Sequence, residues 1–295
     1  MPRTIVMTGA TAGIGAAAVP LLAGASTRLI VGARSESVAA AETLSLDLAS
    51  LASVRGFAVA VIAALGDTRI DALVLNAGMQ RPDVAARSAE GHELTFATNH
   101  LGHHLLLRLL TPHLSDGARI VITSSGTHDP AEKTPVPPPR HADAALLADP
   151  ERDPQRDPNP ITAGMRAYST SKLCNLLTAR HLAASAEARA GGWIVTAYDP
   201  GLTPDTGLVR NQMWLVRTLV WPLLPLLVRF APGMNTLIAA GCGLAALATD
   251  EVPPAGRVYA SLRKGSMTWP DPSDLARDDA VAERLWHDTI RITGN

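Results

Sequence analysis

Cysteine is scarce in this chain of 295 residues: Cys174 and Cys242 are the only two. Neither their number nor their setting suggests a disulfide framework, and such usage points to the cytosol. An excess of one charge is lacking as well. Twenty-six basic against 27 acidic residues leave a formal charge of -1, so nothing draws the chain toward nucleic acid or an anionic membrane. No charged leader with an apolar core precedes the first strand pattern, which argues against export and for a cytoplasmic location. No clean apolar run spans a bilayer either. Residues 214–230 are rich in Leu, Val and Trp, but Arg217, Arg229, Pro222 and Pro225 interrupt them, short of the ~20 residues a spanning helix needs. An apolar flap or a peripheral contact with lipid suits that stretch better. No internal repeat and no linker between two cores is visible, so residues 1–295 read as one domain.

What is present is a core-forming composition, 47% hydrophobic. Short β-branched runs recur at 3–8, 28–32, 44–47, 71–75, 119–123, 193–198 and 258–260. Continuous apolar runs separated by helical patterns mark parallel strands buried on both faces. The class is α/β, a doubly wound parallel sheet of about seven strands with helices on both faces. Helical spacing covers 14–23, 51–65 after the N-cap Ser50, and 91–110. Another helix is expected to begin at Tyr168, with Leu173, Leu176 and Leu177 in one stripe. Residues 129–160 break the pattern, because their many prolines exclude a regular strand or a long helix. Such an excursion is either functional or disordered.

The run from Thr8 to Gly15 follows a strand and opens a helix. Without side chains at Gly9, Gly13 and Gly15 the backbone can turn tightly and a pyrophosphate can approach the helix N-terminus, where free N–H groups favour negative charge. The second strand pattern is followed by Arg34. An acid there would bind the ribose hydroxyls of NAD, whereas an arginine attracts the extra phosphate of NADP, so NADP(H) is expected over NAD(H). Farther on, Tyr168 and Lys172 stand four residues apart on one helix face. A phenol of ordinary pKa ~10 is a poor base near neutrality unless a cation such as Lys172 favours its phenolate. His100, His103 and His104 are at helical spacing, but with no carboxylate or cysteine nearby they read as a packed face rather than a metal site.

From residue 3 to 201 these motifs, in this order, resemble the short-chain dehydrogenase/reductase family. Thr8 to Gly15 matches its cofactor motif, Asn76, Ala77 and Gly78 its strand-end motif, and Asn99 its helix asparagine. Ser125 matches its catalytic serine, Tyr168 and Lys172 its Tyr-x-x-x-Lys pair, and Pro200-Gly201 its Pro-Gly after the next strand. The resemblance implies a Rossmann fold with Gly9, Thr11, Ala12, Gly13, Ile14 and Gly15 at the dinucleotide. Asp47 and Leu48 would lie beside the adenine, although an acid at a strand end also serves as a helix cap. Tyr168 would exchange a proton with the substrate oxygen as hydride moves, and Ser125 would hold that oxygen, with Ser124 as its competitor. Asn99 would complete a relay to Lys172, unless it is a capping or buried amide, and Lys172 would also bond the nicotinamide ribose.

The runs 98–104, 168–178 and 200–208 look like the branch that holds retinol dehydrogenases and light-dependent protochlorophyllide reductases, which favours NADPH. Thr206 is then the expected contact of the nicotinamide carboxamide, with Thr203 competing. The charged, proline-heavy excursion and His104, in place of an aromatic, argue against carrying over pigment binding. A carbonyl reductase working in darkness is the main expectation; a light-dependent enzyme and a non-catalytic dinucleotide-binding sensor are the alternatives. A lid at about 203–235, with Met213, Trp214, Leu215, Trp221, Leu223, Leu224 and Phe230, suits a hydrophobic ketone, aldehyde or secondary alcohol. The same residues could instead pack on the core or join two copies in a homo-oligomer.

Overall fold

The computed structural model describes residues 2–24, 26–35, 37–203 and 234–294. Its sheet has eight strands in the order β3-β2-β1-β4-β5-β6-β7-β8. These are β1 (Arg3–Thr8), β2 (Thr27–Ala33), β3 (Glu42–Ser45), β4 (Ile70–Leu75), β5 (Leu114–Thr123), β6 (Ile194–Asp199), β7 (Tyr259–Arg263) and β8 (Ser266–Thr268). All neighbours through β7 pair in parallel, and β8 returns antiparallel. This edge strand was not foreseen; at three residues it is too short to carry a periodic pattern.

The apolar runs owe their continuity to burial on both faces. In β1, Val6 enters one core while Ile5 and Met7 enter the other; in β4, Leu73 and Leu75 oppose Ala72 and Val74. A side-chain period of two thus fills two cores at once. One core is closed by α1 (Gly13–Leu22) and α8 (Leu237–Thr249). The other is closed by α2 (Leu51–Leu65), the helical run of α3 (Leu94–Phe96) and α4 (Gly102–Leu110), and α6 (Pro160–Ala184). Ser50 caps α2 as expected, accepting from Ser53 N.

Between α3 and α4 the chain makes a π turn, Ala97–Leu101, which contains Asn99. Helix α6 starts at Pro160, not at Tyr168: Asn159 accepts from Ile161 N and Thr162 N, and Pro160 takes the first helical position, where its missing N–H costs nothing. Tyr168 therefore sits in the interior of a long helix, where its backbone cannot fray.

The 129–160 excursion is built from short capped turns and α5 (Ala144–Ala148). Ala142, Ala144 and Ala148 are buried in the core. Asp157 pins it to α6 with 2.6 Å bonds to both Arg166 Nε and Arg140 Nη2, and Ser169 Oγ donates to Pro137 O at 2.6 Å. After α6 the chain runs through α7 (Ala186–Ala190), and it ends with α9 (Asp274–Arg277) and α10 (Asp279–Thr293), the last packed on α6.

Candidate active site

Strand order reverses between β1 and β4, and the crevice at their carboxyl ends is where an open parallel sheet binds ligands. The glycine turn lies there. Gly9 and Gly13 have φ of +70° and +58°, the left-handed region open to glycine. A β-carbon on Gly15 would stand 1.9 Å from Gly9 O, so no other residue fits. Ala12 precedes α1 in extended conformation with no side-chain cap, and no acid occupies the first turn. The amides of a helix start flanked by Ile14 and exposed Thr11 are thus left for an anion. These features fit the pyrophosphate of a dinucleotide. Asn76 ties the turn to the sheet: its Nδ2 donates to Gly9 O at 3.1 Å, and its Oδ1 accepts from Thr123 Oγ1 at 3.1 Å. Ala77 packs against Gly9, and exposed Gly78 leaves 3.1 Å between a β-carbon and Lys172 Nζ.

Arg34 is exposed just beyond β2 and makes no ion pair among the described residues. Asp47 lies two residues past the end of β3; it is exposed, and its Oδ1 accepts from Ala49 N at 3.0 Å. Leu48 is buried with its carbonyl oxygen 2.5 Å from a β-carbon position on Gly102, so the chain after β3 lies tight against α4.

The two serines after β5 separate cleanly. Ser124 is 1% exposed and its Oγ donates to Lys172 O at 2.8 Å. Ser125 instead stands beside Tyr168, near enough for its hydroxyl to favour the phenolate. Lys172 is buried; its Nζ donates to Thr123 O at 3.0 Å and lies 5.9 Å from the Tyr168 ring centroid. Asn99 is wholly buried, and its amide clamps the chain after Gly78. Oδ1 accepts from Met79 N at 2.8 Å, while Nδ2 donates to Met79 O and Ser171 Oγ, each at 2.9 Å.

The electrostatics differ from the expectation of a lowered phenol. Burial pushes Tyr168 up to about 12, the Ser125 hydroxyl pulls it back, and the charge of Asp199 adds to the rise. Burial lowers Lys172 to about 8. Burial is the largest effect on the phenol, and the Lys172 Nζ bond goes to Thr123 O.

The histidines pack. His103 bonds Thr8 Oγ1 at 2.9 Å and Asn99 O at 3.0 Å; His100 bonds Thr289 Oγ1 at 3.1 Å; His104 meets the edge of Trp286 with centroids 4.6 Å apart. Among the described residues no three His, Cys, Asp or Glu are placed to hold a metal.

Pro200 is buried and Gly201 has φ +67°. Thr206 and nearly all of the 203–235 lid, like the 214–230 stretch, lie outside the described residues. The edges of that segment meet: Asn235 N donates to Leu202 O at 2.9 Å, and Asn235 Nδ2 to Pro200 O at 2.9 Å. Thr203 is buried, donating to Pro200 O at 3.1 Å. No helix among the described residues is long and apolar enough to cross a membrane. The excursion walls a cavity of about 680 Å³ between Phe96, Leu147, Arg140 and Ala167. It opens on a neighbouring stripe of α6 and includes none of Asn99, Ser125, Tyr168 or Lys172.

Sequence reasoning missed Asp199, Arg263 and Asn235 around the Pro-Gly turn. An acid directly before Pro-Gly was the available signal for the first; the other two are set by packing alone.

Comparison with known proteins agrees with this geometry. The short chain dehydrogenase family model matches residues 3–135. Dehydrogenase/reductase SDR family member 13 of Bos taurus is 32% identical, over 99% of this chain and 73% of its own. Protochlorophyllide reductase A of Hordeum vulgare is 30% identical over 98% and 80%, and polyprenol dehydrogenase of Mus musculus 33% over 99% and 84%. A crystal structure of an uncharacterised protein from Mycobacterium Paratuberculosis superposes with a TM-score of 0.67 at 28% identity, covering 99% of this chain and 93% of that one. The chain belongs to the short-chain dehydrogenase/reductase family, in its retinol dehydrogenase and protochlorophyllide reductase-like branch, and is an oxidoreductase of a family that uses nicotinamide dinucleotides.

Proposed function

We propose that this protein is an NADP(H)-dependent reductase of a hydrophobic ketone or aldehyde, able to run in reverse on the secondary or primary alcohol. The carrying observation is the buried Tyr168 beside Ser125, with buried Lys172 one turn along the helix. The bound dinucleotide supplies the hydride in reduction and receives it in oxidation.

Tyr168 gives its phenolic proton to the substrate oxygen, and Ser125 donates a hydrogen bond to that oxygen as negative charge develops on it. Lys172 returns a proton to the phenol from solvent, with Asn99 completing the relay to Lys172 through water. A phenol held near 12 stays protonated at neutral pH, which suits a proton donor. Gly9, Thr11, Ala12, Gly13, Ile14 and Gly15 hold the pyrophosphate, Arg34 the 2′-phosphate, and Asp47 and Leu48 the adenosine. Asn76, Ala77 and Gly78 flank the cofactor, Lys172 and Tyr168 hold the nicotinamide ribose, and Pro200, Gly201 and Thr206 take the carboxamide side.

The similarity to polyprenol dehydrogenase supports a hydrophobic substrate, as do the apolar residues Met213, Trp214, Leu215, Trp221, Leu223, Leu224 and Phe230 in the sequence. A second reading, a light-dependent reductase, draws on the protochlorophyllide reductase relative.

The test is an NADPH-oxidation screen over ketones, aldehydes and quinones, in darkness and in light, with Tyr168→Phe alongside. Dark turnover lost in that variant, with NADPH binding retained, is the expected result. Turnover confined to light would favour the second reading. Binding without any turnover would favour a sensor.

A further inference from the structure

Behind the Ser125 turn lies a buried charge that this mechanism does not use. Asp199 closes β6 and is 1% exposed. It accepts from Ser261 Oγ at 2.7 Å, Gly201 N at 2.9 Å and Tyr259 OH at 3.1 Å. Arg263 Nη1 lies 3.3 Å from its Oδ2, and Nη2 donates to Glu132 Oε1 at 2.6 Å. A carboxylate so far from water persists because both oxygens are bonded and a cation adjoins it.

The surrounding backbone is packed onto this pair. A β-carbon on Gly126 would stand 3.1 Å from Asp199 Oδ2 and 3.4 Å from Arg263 Nη2, and one on Gly201 3.7 Å from Arg263 Nη1. The guanidinium therefore sits among three loops: the turn after Ser125, the Pro200-Gly201 turn, and the first turn of the excursion at Glu132.

We propose that the Asp199–Arg263 pair is a positioning device for the active site, locking the Ser125-Gly126 turn against the Pro200-Gly201 turn while its charge balance tunes proton transfer at Tyr168. The inference rests on the roles given above to Ser125 and Tyr168.

Nearest the phenol are Lys172 on its own helix, 5.9 Å from the ring centroid, and Asp199 on β6; Tyr259 and Arg263 on β7 pack on Asp199, Glu132 pairs with Arg263, and His128 packs on Tyr259. Of these, Asp199 acts on Tyr168 directly, raising it after the larger effect of burial. Burial lowers His128, whose Nδ1 bonds Ser125 O at 2.8 Å. Burial and the adjacent carboxylate push Tyr259 far up. Arg263 and Glu132 bear on the phenol through Asp199: Arg263 offsets its charge, and Glu132 in turn pairs with Arg263.

The test is the pH profile of alcohol oxidation, with the best substrate of the screen, for Asp199→Asn, Arg263→Gln, Glu132→Gln and the double variant of the first two. Asp199→Asn should move the ionisation of Tyr168 to lower pH by at least ~0.5 unit. Arg263→Gln should move it to higher pH, and the double variant back toward the parent. Glu132 is at the surface, so Glu132→Gln folds in any case and should shift the profile slightly downward. If Asp199→Asn does not fold, the opposed signs of Arg263→Gln and Glu132→Gln decide. Shifts of the same sign, or unmoved profiles in folded variants, overturn the proposal. A Tyr168→Phe enzyme with full turnover would instead overturn the reading of Tyr168 on which it rests.

Discussion

Thr8 and His103 share a 2.9 Å hydrogen bond whose polarity is fixed by its neighbours. Thr8 Oγ1 already accepts from Asn76 N and Ala77 N, at 3.0 and 3.1 Å, so its one proton goes to His103 Nε2. The imidazole is therefore the neutral Nδ1–H tautomer, which donates to Asn99 O. Burial supports the same state, holding His103 down at about 3. One side chain thus joins the end of β1, the end of β4 and the π turn of Asn99.

His103→Ala strands the Thr8 hydroxyl and the Asn99 carbonyl in a dry interior. The expected loss is about 2–3 kcal/mol in urea unfolding, accompanied by weaker cofactor binding. A variant as stable as the parent would show that these bonds are replaceable.

The same histidines set the acid limit of the fold. His100 and His103 have folded-state values of about 4 and about 3, below the ordinary 6.5. The unfolded chain therefore binds more protons, and the stability these groups contribute is present above pH ~6.5 and is lost as pH falls toward 3. Urea midpoints measured between pH 7 and 4 should drop steadily, and His100→Asn should flatten the decline. A flat parent curve would contradict the burial of neutral imidazoles.

Lys172 predicts an alkaline limb. Burial lowers its ammonium to about 8, so it is charged below that pH and neutral above it. In the free enzyme, kcat/KM for reduction should hold level below pH ~8 and fall beyond it. Lys172→Arg, which cannot lose its charge in this range, should remove the limb even if it slows turnover.

Arg34 should carry much of the cofactor preference. Loss of a charge-assisted contact to the 2′-phosphate costs about 1.4 kcal/mol or more, a tenfold change. Isothermal titration should show Arg34→Ala binding NADPH at least ~10-fold more weakly while NADH affinity barely moves. Equal affinity of the parent for both cofactors would sink the NADP(H) assignment.

Asp157 should hold the excursion in place. Its carboxylate bridges Arg140 and Arg166, and removing one partner of such a shielded cluster leaves two cations facing each other. Asp157→Ala should cost about 2 kcal/mol and raise hydrogen exchange in residues 137–158. Unchanged exchange there would mean that Ser169 and the buried alanines suffice.

The sequence by itself determined the parts that repeat locally or sit a few residues apart. The runs in β1, β4 and β5 are legible because burial on both faces demands unbroken apolar side chains. The Gly9-to-Gly15 turn is legible because only glycine fits, and Tyr168 with Lys172 because a helix sets neighbours four apart. Helix α6 begins eight residues before Tyr168, where Asn159 and Pro160 continue the proline pattern of the excursion and so hide its start in the sequence. Tertiary structure alone decided which serine faces Tyr168, because Ser124 and Ser125 differ only in what β5 and α6 present to each. It also decided that burial raises the Tyr168 phenol, that Asn99 clamps Met79, and that Asp199 meets Arg263. Those outcomes depend on contacts between residues far apart in the chain, and on how much water is left around them, and no local pattern encodes either.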